Sequence, residues 1–312
     1  MGVKGLHSYV ESKLPASEHM LTLAELAAAS CSPETASSGP TPSRVIVVDG
    51  MALIRKMYTP ELEWVVGGQF QELWVHVADF VSRFTAHSLS LVLFFDGGVD
   101  EAKLGEWQTR RQADLRKVER VIGHLSRGEP PPKSCWMPPP NISKIVGGAF
   151  AEQGCDVHYT AGEADREIAS FCIHRRCAAV LGKDSDFIVL PVGTYLNLDT
   201  LQLHTRPERV TAYRRSAIEA ALGLPSSLLP LLGSLVGNDY VPTQHLSRWH
   251  ASLMPGRHAA GAPLIEAVAR RVAAAATATS WHGPRPTTPV LWCAPDLARQ
   301  LAPPLTLIIP HP

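Results

Sequence analysis

Blocks of apolar and polar positions along the chain separate strands from helices by their length and period. RVIVVD (44–49) and LSLVLFFD (89–96) are apolar runs of the length a strand buried on both faces needs. CDVHY (155–159), AAVLG (178–182) and FIVL (187–190) are shorter runs read as strands. Between them the period turns helical. Trp64, Phe70, Leu73, Trp74, Val77, Phe80, Val81 and Phe84 fall mostly at helical spacing and are read as core. SKIVGGAFAEQG and GEADREIASFCIHRR predict two more helices, and the first thirty residues predict a short helix followed by a Leu/Ala-rich one around Leu21 to Ala29. SCSPETASSGPTPS (30–43) and EPPPKSCWMPPP (129–140) are loops by composition. This alternation predicts an α/β fold with a mostly parallel sheet and flanking helices on both faces. Beyond Pro242 the pattern weakens to an Ala-rich helix (262–276) and a Pro-rich end, LTLIIPHP. We therefore expect a main domain over 1–242 and a partly helical C-terminal appendage over 243–312. No internal repeat is found.

Composition excludes more than it selects. The 312 residues are 45% hydrophobic and 19% charged, enough apolar content for a sizeable core. Lys+Arg and Asp+Glu both number 29, so a nucleic-acid partner would have to be held by local patches. No apolar run approaches the ~18–20 residues of a membrane-spanning helix, and no membrane partner is expected. MGVKGLHSYVESKL is amphipathic, unlike a secretory leader, and Leu6 breaks the myristoylation pattern. Six scattered cysteines without a CxxC are expected to be free thiols in a reducing compartment, and thirteen histidines form no HxxxH or HxxEH motif.

The informative signal is where the acids fall. Asp49 and Asp96 end the two long strands, Asp184 and Asp186 follow AAVLG, and Glu163 and Asp165 open the helix after CDVHY. Asp239 lies in GNDY, after the apolar segment LLPLLGSLVG. Any one such acid is commonly a helix cap or turn former. Together, at the carboxyl edge of a parallel sheet, they would share one crevice. Two unit charges ~4 Å apart repel by about 4 kcal/mol at an effective dielectric of 20, so convergent carboxylates need protons or cations. Hard Mg²⁺ or Mn²⁺ suits oxygen ligands, and two such ions ~3.5–4 Å apart would serve phosphodiester hydrolysis.

MGVKGL, VVDG, FFDGG, GEAD, KDSDF and GNDY, in this order over roughly residues 1–242, resemble the flap endonuclease and XPG-type 5′ nuclease family, a PIN-like fold. YTPELEWVVGGQF and FFDGGVDEAKLGEWQTRR (within 58–111) resemble its asteroid and constitutive-coactivator-of-PPAR-gamma branch. The resemblance implies two metal clusters, Asp49, Asp96, Glu163 and Asp165 in the tighter and Asp184, Asp186 and Asp239 in the second. It also implies that Lys103 and Arg110 act catalytically by steering the scissile phosphate, with Gly2 beside the site. Arg111, Arg116 and Lys117 would extend the basic, nucleic-acid-binding face. By charge pattern alone the same helix reads equally as a solvated one with Glu106, Asp114 and Glu119. Two departures stand out: Glu163-Ala164-Asp165 replaces Glu-x-Glu, and GNDY runs into VPTQHLSRWHASLMPGRH without a Gly-x-Gly hairpin, where Arg248, His250, Arg257 and His258 are weak candidates for phosphate contacts.

Three functions compete. The first is a structure-selective 5′ nuclease using two Mg²⁺ or Mn²⁺ ions on DNA or RNA with single-stranded ends or flaps. The second, on the coactivator resemblance, is a non-catalytic nuclear scaffold or RNA-binding protein with nuclear protein partners. The third, a dehalogenase-type phosphotransferase, ranks last, because Phe187 follows the DxD where Thr or Val is wanted and the motif lies far from the chain start. Nuclear localisation is implied by the resemblance only.

Overall fold

The structure, a computed structural model, describes residues 2–14, 18–29, 43–65, 67–99, 101–238, 241, 243–256 and 259–278. In chain order these form α1 (Leu6–Lys13), β1 (Glu18–Thr22), α2 (Leu23–Ala29), β2 (Ser43–Asp49), α3 (Gly50–Met57), α4 (Phe70–Thr85), β3 (Ser90–Phe95) and α5 (Leu104–Ser126). There follow α6 (Ile142–Glu152), β4 (Asp156–Tyr159), α7 (Ala164–Arg175), β5 (Cys177–Gly182), the single turn α8 (Asp186–Val189), β6 (Thr194–Asn197), β7 (Arg209–Arg214), α9 (Arg215–Leu222), α10 (Leu229–Val236), α11 (Thr243–Leu253) and α12 (Gly261–Ala278).

The seven strands form one sheet in the order β1-β7-β6-β5-β2-β3-β4. β4, β3, β2, β5 and β6 pair in parallel, whereas β7 runs antiparallel to both β6 and β1. The mostly parallel, helix-flanked sheet expected from the alternation is the fold observed. Alternate strand residues feed two cores. Val47, Val92, Phe94, Val180 and Tyr195 face one side with α1, α7, α10 and α12. Ile46, Val48, Leu93, Phe95 and Leu181 face the other with α3, α4 and α6. The Ala-rich helix α12 belongs to the first core, with Ile265, Val268 and Val272 fully buried.

Three local expectations are corrected. FIVL is not a strand: the Asp186 amide donates to the Asp184 Oδ1 at 3.1 Å and the Leu190 amide returns to the Asp186 carbonyl at 2.9 Å, closing a helical turn. Leu21 and Thr22 belong to edge strand β1. α2 starts after them with a capping box in which the Glu25 Oε2 accepts from the Thr22 amide at 2.8 Å and the Thr22 Oγ1 from the Glu25 amide at 3.1 Å. His250 is 3% exposed and bonded to the Leu235 carbonyl at 2.8 Å, so it supports α10 and does not contact phosphate. Arg257 and His258 lie outside the described residues.

Candidate metal and nucleic-acid site

Strand order explains why the acids meet. The chain leaves β2 toward β3 and β4 and then crosses back to β5 on the other side of β2. That reversal opens a crevice at the carboxyl edge. Register places the ends together: Asp49 pairs with Phe94, two residues before Asp96, and Val48 pairs with Leu181, three before Asp184. A methyl on Gly182 would stand 3.4 Å from the Asp49 Cβ, a measure of how closely β5 passes β2 there.

The result is a cleft of about 860 Å³ lined by Asp49, Asp96, Glu163, Asp165 and Asp184 together with Lys103 and Arg110. Asp49 caps α3, accepting from the Ala52 amide at 3.1 Å, and the Asp96 Oδ1 accepts from the Ala164 amide at 2.8 Å, which docks the start of α7. The capping role and a ligand role are compatible, because each carboxylate has a second oxygen. Asp186, 3% exposed, lies behind Asp184 rather than on the cleft wall. Gly2, at φ 90°, abuts this loop: a side chain there would run into the Asp184 carboxylate, and the Ser185 Oγ donates to the Val3 carbonyl at 3.2 Å. The Lys4 amide donates to the Gly237 carbonyl at 3.0 Å, tying the same segment to the GNDY loop. Asp239 itself lies outside the described residues.

The electrostatics are those of crowded acids. Burial, followed by the Asp96 and Asp184 charges, pushes the Asp49 carboxyl up to about 7. Burial and then the charges of Asp49, Asp184, Asp186 and Asp96 raise Asp165 well above the ordinary carboxylate range. Asp96 is raised by desolvation and by Glu163. An oxygen-only donor set whose members raise one another suits a hard dication. Yet among the described residues no three His, Cys, Asp or Glu side chains stand in ready metal-ligating geometry. Water and phosphate oxygens would complete any coordination, as is usual for Mg²⁺.

The basic side is divided. The Lys103 Nζ lies 2.6 Å from the Glu163 Oε2 in a mostly buried pair, binding the phosphate-steering candidate to a ligand candidate. Arg110 shares the wall. Arg111, Arg116 and Lys117 are not on it. Arg111 lies over the Trp107 ring at 5.6 Å, and Lys117 faces Asp114 at 4.0 Å.

Several lining residues escaped the sequence reading. Trp107, 44% exposed, stands between Lys103 and Arg110 in sequence and in the cleft. His7 packs on Tyr195 with ring centroids 5.7 Å apart, and burial lowers its pKa, which keeps the imidazole neutral near pH 7. Arg55, Lys183, Asn197 and Asp199 close the end of the cleft nearest β6. Only the echo of strand-then-acid in Asn197-Leu198-Asp199 could have signalled them.

No protein-family model matches the chain. It is 33% identical over 243 residues to the constitutive coactivator of peroxisome proliferator-activated receptor gamma of Bos taurus (78% of this chain, 34% of that protein). Identity to the Homo sapiens protein of that name is 34% over 243 residues (78% and 26%). The chain thus spans about a third or less of the length of the curated relatives it matches. Among solved structures it is similar to flap endonuclease-1 from Methanococcus jannaschii, at 13% identity and TM-score 0.49, over 91% of this chain and 81% of that one. Over more than three quarters of its length the chain is homologous to the constitutive coactivators of PPAR-gamma.

Proposed function

We propose that the cleft is a divalent-metal-dependent phosphodiesterase site, acting as a structure-selective 5′ nuclease on DNA or RNA with single-stranded ends or flaps. The observation that carries this reading is the convergence of Asp49, Asp96, Glu163, Asp165 and Asp184 from separate elements on one cleft whose wall also holds Lys103 and Arg110. Crowding acids at a fold's switch point costs stability, and a bound cation offsets that cost. Asp49, Asp96, Asp165 and Asp184 would hold Mg²⁺ or Mn²⁺, with Glu163, Asp186 and Asp239 as further candidates for two ions. Such ions would polarise a phosphodiester and make hydroxide available near neutral pH.

The chain's own groups supply the rest. Lys103, at the N-cap of α5, and Arg110, two turns into it, line the same cleft and can bracket a phosphate from the same side. Trp107 between them offers a ring on which an unpaired base can stack, typically worth ~1–3 kcal/mol. A strand that draws Lys103 toward its phosphate loosens the amine's hold on Glu163 and makes that carboxylate available.

Lys103→Ala and Arg110→Ala are expected to lower cleavage of a flap substrate by about ten- to a thousandfold each, a range set by single charge-stabilising groups. The melting temperature should change little in Arg110→Ala and fall in Lys103→Ala only by what the lost pair with Glu163 contributes. Loss of stability in step with loss of activity would contradict their role. The function itself is tested by incubating purified protein with Mn²⁺ or Mg²⁺ and a panel of flap, overhang, bubble and RNA substrates. Cleavage that needs both metal and acids supports the nuclease.

A second reading, a nuclear scaffold or coactivator that binds nucleic acid without cutting it, is favoured by the relatives' name and by the absence of ready three-ligand geometry among the described residues. Binding to the same panel without metal-dependent cleavage would establish it. Nuclear protein partners and nuclear residence belong to either reading.

A further inference from the structure

A smaller cavity of about 340 Å³ adjoins the acid cleft on the side away from α5. The two share Ala52, Arg55, Lys183 and Asp199 as lining residues, so they are continuous. The smaller one is cationic: Arg55, Lys56 and Lys183 line it against the single carboxylate of Asp199. Sequence motifs give no reason for three cations here, and the metal-holding and phosphate-steering roles proposed for the acid cleft do not call on them.

We propose that this cavity is a second phosphate site, which takes a backbone phosphate of the same nucleic-acid strand on the far side of the acid floor from Lys103 and Arg110. The proposal rests on the reading of the cleft as a nucleic-acid site and adds the direction in which the strand leaves it.

Each residue has a distinct part. The Lys56 Nζ donates to the Leu198 and Leu201 carbonyls at 3.3 and 3.2 Å, so it fixes the turn after β6 and adds its charge to the wall. Arg55 lies over the Trp136 ring at 5.4 Å, a cation–π contact that holds the guanidinium in place without consuming its N–H donors. The Lys183 Nζ meets the Asp199 Oδ2 at 2.7 Å, with both side chains 58% exposed. An exposed pair of that kind contributes little, so a phosphate can draw the amine away at little cost. Lys183 also directly precedes Asp184 in the chain, which couples the two sites through one loop.

The test is fluorescence anisotropy with a labelled single-stranded oligonucleotide and the full chain in Ca²⁺, a hard dication that neutralises the acid floor, across a salt series. Arg55→Ala combined with Lys183→Ala is expected to weaken binding at least tenfold at 100 mM salt. It should also reduce the slope of log K against log salt by about 0.7 per lost phosphate contact. Lys183→Arg, which keeps the charge, should bind as the wild type does. A thermal melt confirms folding, and Arg55→Gln with Lys183→Gln replaces the alanine pair if that pair unfolds. Unchanged affinity and slope in the double variant, while Lys103→Ala with Arg110→Ala loses binding, would overturn this proposal alone. No binding by the wild type would overturn it together with the reading beneath it.

Discussion

Asp184→Ala combined with Asp186→Ala is expected to reduce metal-dependent cleavage by at least about a hundredfold and to leave the fold intact. Asp184 lines the cleft and Asp186 lies behind it, 3% exposed, in the turn that follows β5. Their loss removes ligand oxygens from one end of the acid floor. It also removes two of the charges that raise the Asp165 carboxyl, so repulsion falls as ligand capacity falls. The variant should therefore melt no lower than the wild type in EDTA, apart from the small contribution of the Asp184 Oδ1 cap on the Asp186 amide. Asp184→Asn with Asp186→Asn preserves that cap and is the cleaner pair. Cleavage at wild-type rate in either pair would remove this loop from the chemistry.

The second large effect is on stability. Asp165→Asn is expected to raise the melting temperature of the metal-free protein at pH 8, by about 2–6 °C for a gain of ~1–2 kcal/mol in a chain of this size. The same change should abolish the further rise that Mg²⁺ gives the wild type. In the native chain the acidic groups make stability fall as pH rises. An unfolded aspartate titrates near ~3.9, whereas Asp49 titrates at about 7 in the fold. Between those values the folded state holds a proton that the unfolded state has released, so stability declines with pH. The contribution is complete below about pH 4 and is lost as pH rises through about 7. Asp165 acts in the same direction, because burial and four neighbouring carboxylates raise it too. Thermal melts of wild type and Asp165→Asn from pH 4 to 8, with and without Mg²⁺, read all three effects. A variant that melts lower than wild type at pH 8 without metal would show that the acids are not in conflict.

What was legible in the sequence follows from burial. β2 and β3 are covered on both faces, so they read as unbroken apolar runs, and the acids that end them point to the shared edge. β1, β6 and β7 lie toward one side of the sheet, and β1 and β6 are only 5 and 4 residues long. Glu18-His19-Met20-Leu21-Thr22 carries an edge strand's mixed polarity and ran straight into the Leu/Ala pattern of α2. FIVL was misread because four apolar residues suit a buried turn as well as a strand, and the Asp184 cap decided the matter.

The cations divide for a geometric reason. Arg110 and Lys117 are seven residues apart and share a face of α5, whose N-cap is Lys103, but Lys117 lies about 10.5 Å further along the axis than Arg110 at 1.5 Å per residue. It therefore sits beyond the cleft and faces Asp114. Arg111 is turned about 100° from Arg110 and stacks on Trp107. Arg55 and Lys183 reach the cleft from α3 and from the turn after β5, a proximity that only the strand order creates.

The claim on which the account depends is that a dication is bound among the converging carboxylates. An anomalous difference map from crystals of the full chain soaked in Mn²⁺ measures this directly. The account expects one or two peaks inside the cleft, within coordination distance of Asp49, Asp165 and Asp184, in the wild type and none in Asp165→Asn. A map with manganese only elsewhere on the surface, or with the cleft empty at millimolar Mn²⁺, would contradict it.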